Sequence, residues 1–133
     1  MPKCTICRQI GAEEVMRMNV REVYESLGYE LDDVKSRLTD NEEFIARILK
    51  KFSEDGNCSR LEKALASEDY TDAYEAAHAI KGMTSNMGFS RQYDLAFKIT
   101  EKLKASDYEG LDSLCAELKR ENDRVLDAVS RLD

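Results

Sequence analysis

Apolar residues recur along this chain at intervals of three and four, and alternation with period two is absent over any useful length, so the sequence predicts helices and no sheet. The clearest series is Leu111, Cys115, Leu118, Asn122, Val125, Val129 and Leu132, with Glu, Lys and Arg between, the pattern of one long amphipathic helix. Ser106 or Asp107 is expected to cap its start by accepting bonds from first-turn amides. Phe89, Tyr93, Ala96, Ile99 and Leu103 mark a helix over about 89–104, and Asp69 is the expected N-cap of another over about 70–87. Phe44, Ile45, Ile48, Leu49 and Phe52 define one over about 41–55, opened by Thr39-Asp40-Asn41. Leu61, Ala64 and Leu65 extend a shorter helix beyond Gly56-Asn57. Val20, Val23, Leu27, Leu31, Val34 and Leu38 belong to two short pieces, about 19–27 and 31–38.

Little interrupts these segments, because the one proline is Pro2 and the six glycines are scattered. Helices of this length with short connections pack most simply as antiparallel neighbours. The expected fold is therefore an all-α bundle with a short N-terminal helical cover. Residues 1–17 carry no clear apolar stripe and are expected to form a poorly ordered appendage, with Met18 the natural start of a domain covering 18–133.

Charge narrows the function classes. Against 20 Lys and Arg stand 27 Asp and Glu, a net charge of −7, which argues against general affinity for nucleic acid or anionic lipid. No apolar run approaches the roughly 18 residues of a membrane helix, and the N-terminus lacks the apolar centre of a secretion signal, so a cytoplasmic location is expected. There is no GxxxxGK[ST] loop and no glycine-rich loop to cover a nucleotide, so the chain is not expected to phosphorylate itself from ATP. Among the four cysteines, Cys4-Thr5-Ile6-Cys7 has the spacing of half a zinc site or a redox pair. A second close pair and a βαβ context are both missing, so reduced thiols in a frayed terminus are the simpler reading. Cys115, in an apolar series, reads as a small core residue.

The chain has one histidine, His78. Turning about 100° per residue, Thr71, Tyr74, Lys81, Gly82 and Ser85 all fall within roughly 60° of it. Ala73, Ala76, Ile80, Met83 and Met87 fall roughly 140–180° away, so the imidazole stands opposite the apolar stripe. Lys81 is one turn along the same face, positioned to meet an anion held on the ring. Gly82 costs about 1 kcal/mol relative to alanine inside a helix, which suggests that a side chain there would obstruct something. The plain alternative is that Gly82 and Ser85 admit a neighbouring helix while Lys81 is merely solvated.

His78-Ala-Ile-Lys81-Gly82-Met-Thr-Ser-Asn-Met-Gly88 resembles the HxxKGxxxxxG signature of histidine-containing phosphotransfer (HPt) domains, which shuttle phosphoryl groups in multistep phosphorelays. The similarity runs over about residues 19–131 and implies an antiparallel four-helix bundle with the histidine on its second long helix. There are departures from the family pattern. Phe89 follows the second glycine, where a small or aliphatic residue is common. Gln92 stands where a leucine is frequent, with Tyr93 beside it expected to take over the packing. Thr100, with Glu101 beside it, occupies the place of the Gln or Glu that often faces the histidine.

The resemblance implies that His78 accepts a phosphoryl group from a receiver-domain phosphoaspartate and passes it to another receiver aspartate. Lys81 would stabilise the phosphoryl oxygens and Gly82 would admit the receiver's loops. Tyr74, Ser85, Gly88 and Thr100 would contribute to docking or to orienting the ring. Mg²⁺ would come with the receiver domain, no cofactor would be bound by this chain, and the chain would act as a monomer. It would be a carrier and not an enzyme. Two other readings compete: a helical interaction module with His78 incidental, and a metal or redox protein built on Cys4 and Cys7.

Overall fold

A computed structural model describes residues 17–132; Cys4, Cys7 and nearly all of the expected appendage lie outside the described residues. Within them are seven helices: α1 (Val20–Leu27), α2 (Leu31–Arg37), α3 (Glu42–Ser53), α4 (Asn57–Ala66), α5 (Tyr70–Met87), α6 (Ser90–Lys104) and α7 (Leu111–Val129). The only β feature among the described residues is one bridge between Met18 and Leu132, in which the Met18 N–H donates to the Arg131 carbonyl at 2.8 Å.

Local chemistry sets most helix starts. Asn19 accepts from the Glu22 N–H at 2.8 Å while Glu22 accepts from the Asn19 N–H at 3.0 Å, a reciprocal capping box. Asn41 accepts from Phe44 N–H at 3.1 Å and Asp69 from Asp72 N–H at 3.2 Å, as their positions predict. The expected cap of α7 is corrected. Neither Ser106 nor Asp107 caps it; α7 begins later, after Gly110, which has φ 77°. Asp107 instead braces the preceding turn, accepting from Lys102 at 2.9 Å and from the Glu109 N–H at 3.2 Å.

The bundle has four sides, one of them supplied by α3 and α4 in succession and the others by α5, α6 and α7. The break between α3 and α4 divides the core into two clusters. At one end Leu61, Ala64 and Leu65 of α4 meet Ala73, Ala76, Ala77 and Ile80 of α5, with Ile99 of α6 and Leu118 of α7. Small α5 side chains let the flanking helices approach closely. At the other end α1 and α2 cover the bundle, and Val23, Tyr24, Leu27, Leu31 and Val34 pack on Ile45, Leu49, Phe52, Met87 and Val129. Each large aliphatic side chain buried in this way contributes about 1.5–3 kcal/mol relative to exposure.

Phe89 has no exposed surface and is ringed by Tyr24, Tyr29 and Phe52, with ring centroids 5.5–5.7 Å away. A large aromatic is accommodated there because α1 and α2 form a roof over it. Gln92, not Tyr93, fills the position expected of an aliphatic residue: it is 1% exposed, whereas Tyr93 is half-buried. The helical wheel explains this, since Gln92 lies about 20° from the buried Ile99 and Tyr93 about 120°. The Gln92 amide donates to Asn122 Oδ1 at 3.0 Å, which gives the polar break in the α7 series a partner. Phe44 and Leu38, read as stripe residues, are exposed at the periphery.

Candidate functional site

α5 passes through both core clusters, so its register is fixed by burial along its length. Ala73, Ala76, Ala77, Ile80, Thr84 and Met87 are buried, and the opposite face is left to solvent. Its C-terminus is held by three devices. Gly88 has φ 74°, and the Phe89 N–H returns to the Thr84 carbonyl at 3.0 Å, closing the helix in the manner of a Schellman cap. The buried Tyr24 hydroxyl donates to the Met87 carbonyl at 2.6 Å. Arg37 of α2 reaches across to donate to the Ser85 carbonyl at 2.8 Å.

On the solvent face stand Tyr74, His78, Lys81, Gly82 and Ser85. His78 is exposed, and its ring lies nearly parallel to that of Tyr74, with planes 16° apart and centroids 5.9 Å apart. Lys81 is half-buried, and its ammonium stands 5.5 Å from the centre of the Phe97 ring of α6. Phe97 is 43% exposed and stacks on Tyr93, one turn earlier in α6, at 6.2 Å. Among the described residues a Cβ built on Gly82 meets nothing within 4 Å, so no packing between them requires glycine there.

The structure accounts for two of the expected docking residues inside the fold. At Gly88 a Cβ would fall 2.8 Å from Val34 Cγ2, and the left-handed φ disfavours a side chain as well, so this glycine is required by the helix end and the α2 roof. Thr100 is fully buried and its hydroxyl donates to the Phe97 carbonyl at 2.8 Å, with no described hydrogen bond to His78. It is an interior residue of α6 and offers no surface to a partner. Ser85 and Tyr93 line a cleft of about 270 Å³ with Asp33 and Arg37 of α2, continuing the His78 face toward the roof.

Sequence reading missed Phe97 and Arg37. Phe97 carried a usable signal: it lies about 160° from the buried Ile99 on the α6 wheel, so it is an aromatic placed where packing does not demand one. Arg37 carried none, because its contact joins positions 48 apart in the sequence.

Elsewhere the ionisable groups serve the fold. The Tyr29 hydroxyl donates to the Glu121 carboxylate, which also accepts from Arg124 at 2.8 Å. Burial, with the Glu121 bond next in weight, pushes the Tyr29 phenol up to about 12. Burial acts to raise the Glu121 carboxyl, but the bonds from Arg124 and Tyr29 outweigh it and hold it below its ordinary range. Burial also pushes the Cys58 thiol up to about 11 and raises that of Cys115, which makes both poor thiolates. Among the described residues no group of three or more His, Cys, Asp or Glu side chains is placed to hold a metal ion, and no helix is long and apolar enough to cross a membrane.

The family model of the Hpt domain matches residues 38–128, from the start of α3 through nearly all of α7, and so most of the bundle together with the α5 face just described. The chain belongs to the Hpt domain family. No curated protein and no solved structure matches it. Hpt domains are helical bundles that act as phosphocarriers, so the general role is phosphotransfer in a phosphorelay, with partners of the receiver kind.

Proposed function

We propose that His78 is the phosphoryl-accepting residue, taking the group from the phosphoaspartate of one receiver domain and returning it to the aspartate of another. The observation that carries this reading is the division of α5. One face is wholly committed to the core, and the other presents the chain's one imidazole beside a lysine and an open glycine. In the forward step the Nε2 lone pair forms the N–P bond while the P–O bond to the aspartate breaks, its electron pair staying on the departing carboxylate. Nδ1 keeps its proton throughout. Such transfer needs positioning and charge stabilisation more than covalent help. Tyr74 limits the tilt of the ring, Lys81 meets the charge on the phosphoryl oxygens, and Gly82 leaves room for the receiver's loops. Mg²⁺ belongs to the receiver, where it shares the charge of the group in transit. The same reading makes the chain a carrier without kinase activity of its own, working as a cytoplasmic monomer.

The test incubates the purified chain with receiver domains phosphorylated by acetyl phosphate in the presence of Mg²⁺ and follows intact mass. The expected result is a gain of one phosphoryl group that is labile in acid, stable in alkali and absent from His78→Gln. A folded chain that receives nothing from a panel of receivers, or a His78→Gln chain that is still labelled, overturns the assignment.

A further inference from the structure

Lys81 is one of 20 basic residues in a chain with 27 acidic ones, yet no carboxylate among the described residues pairs with it. Its ammonium is held by an aromatic face, the ring of Phe97, at 5.5 Å. The difference has chemical consequences. A carboxylate partner would orient the lysine but cancel its charge and compete with an incoming phosphoryl group. A ring quadrupole attracts the cation while adding no net charge. Phe97 is itself held: it stacks on Tyr93, and its backbone carbonyl is bonded by the buried Thr100 hydroxyl. The ring stays 43% exposed, a cost in apolar surface that the core does not require.

We propose that Phe97 is a positioning residue for phosphoryl transfer, its ring holding the Lys81 ammonium on the His78 face with its charge unneutralised. The proposal rests on the carrier reading of His78. It assigns part of the site to α6, so that the α5–α6 pairing governs transfer as well as stability. Tyr93, stacked on the Phe97 ring with centroids 6.2 Å apart, extends the same ledge.

The experiment measures single-turnover transfer from a receiver domain phosphorylated by acetyl phosphate to the full chain. It compares Phe97→Leu and Phe97→Trp, each with Lys81 intact and in a Lys81→Ala background. Loss of an exposed cation–π contact corresponds to about a two- to fivefold effect, so Phe97→Leu should slow transfer by that factor, and Phe97→Trp should restore it. In the Lys81→Ala background Phe97→Leu should change nothing further. The Lys81 side-chain protons, followed by NMR without any receiver, should be shifted upfield by the ring and lose that shift in Phe97→Leu. An equal slowing by Phe97→Leu with and without Lys81 would make Phe97 a docking contact and overturn the proposal, as would an absent ring shift or an unaffected rate. Failure of the carrier reading looks different: the wild-type chain itself takes no phosphoryl group, and the role assigned to Phe97 falls with it.

Discussion

The two faces of α5 are built on opposite terms. On the buried face Ala73, Ala76, Ala77, Ile80, Thr84 and Met87 are chosen by volume, and the Thr84 hydroxyl is satisfied by the Ile80 carbonyl at 2.8 Å. On the solvent face Tyr74 leans on the edge of the core, but His78, Lys81, Gly82 and Ser85 do little for packing, and Gly82 lowers the helix's own stability. A helix optimised for the fold alone would carry alanine at position 82. The contrast teaches that the two faces carry different duties: substitutions on the buried face should chiefly cost stability, and those on the solvent face should chiefly cost transfer.

The largest expected loss of stability comes from Ile80→Ala on the buried face. Removing a large aliphatic side chain from a packed core costs about 2–5 kcal/mol, and denaturant unfolding should register it, while the folded fraction keeps His78 reactive. Gly88→Ala comes next, at roughly 1–3 kcal/mol, because a non-glycine residue must take a left-handed φ and Val34 must yield. Gly82→Ala should act in the opposite sense. It should stabilise the helix by about 0.5–1 kcal/mol, since its Cβ meets nothing, yet slow transfer by crowding the approach of the receiver. A faster or unchanged transfer rate in that variant would break the comparison, because the open glycine would then serve no partner.

The smallest effect concerns acid. The Glu121 carboxyl is held below its ordinary range in the folded state, so its contribution to stability is present above that range and is lost as pH falls through the depressed value. Thermal melts between neutral and acid pH should show part of the acid destabilisation missing in Glu121→Gln. Asp72 and Asp107, lowered chiefly by hydrogen bonds from Arg60 and Lys102, act in the same direction from exposed positions.

Much of this organisation was legible in the sequence. The seven helices and the outward turn of His78 follow from three- and four-residue spacing, because each helix packs one stripe and leaves one face wet. The caps at Asn41 and Asp69 were readable because a short polar side chain and its target amides are neighbours in the chain. What the sequence hid were contacts and competing local bonds that only the folded chain settles. Gly88 reads as part of a motif, and only the packed α2 roof shows that Val34 leaves it no room. Thr100 reads as a residue facing the histidine, and only the packed bundle shows that it is fully buried with its hydroxyl bonded to the Phe97 carbonyl. The late start of α7 escaped because Ser106 and Asp107 look like caps, while Lys102 draws the Asp107 side chain into the preceding turn.

The central claim is that the phosphoryl group resides on one ring nitrogen of one residue. Phosphorus and long-range ¹H–¹⁵N NMR of the labelled chain, after transfer from a phosphorylated receiver, tests it most directly. The account predicts one phosphoramidate signal coupled to Nε2 of His78, with the Nδ1 proton retained and the helical spectrum otherwise unchanged. A phosphoryl group on a carboxylate or hydroxyl, or a His78 ring that stays unmodified while the chain is labelled, would contradict it.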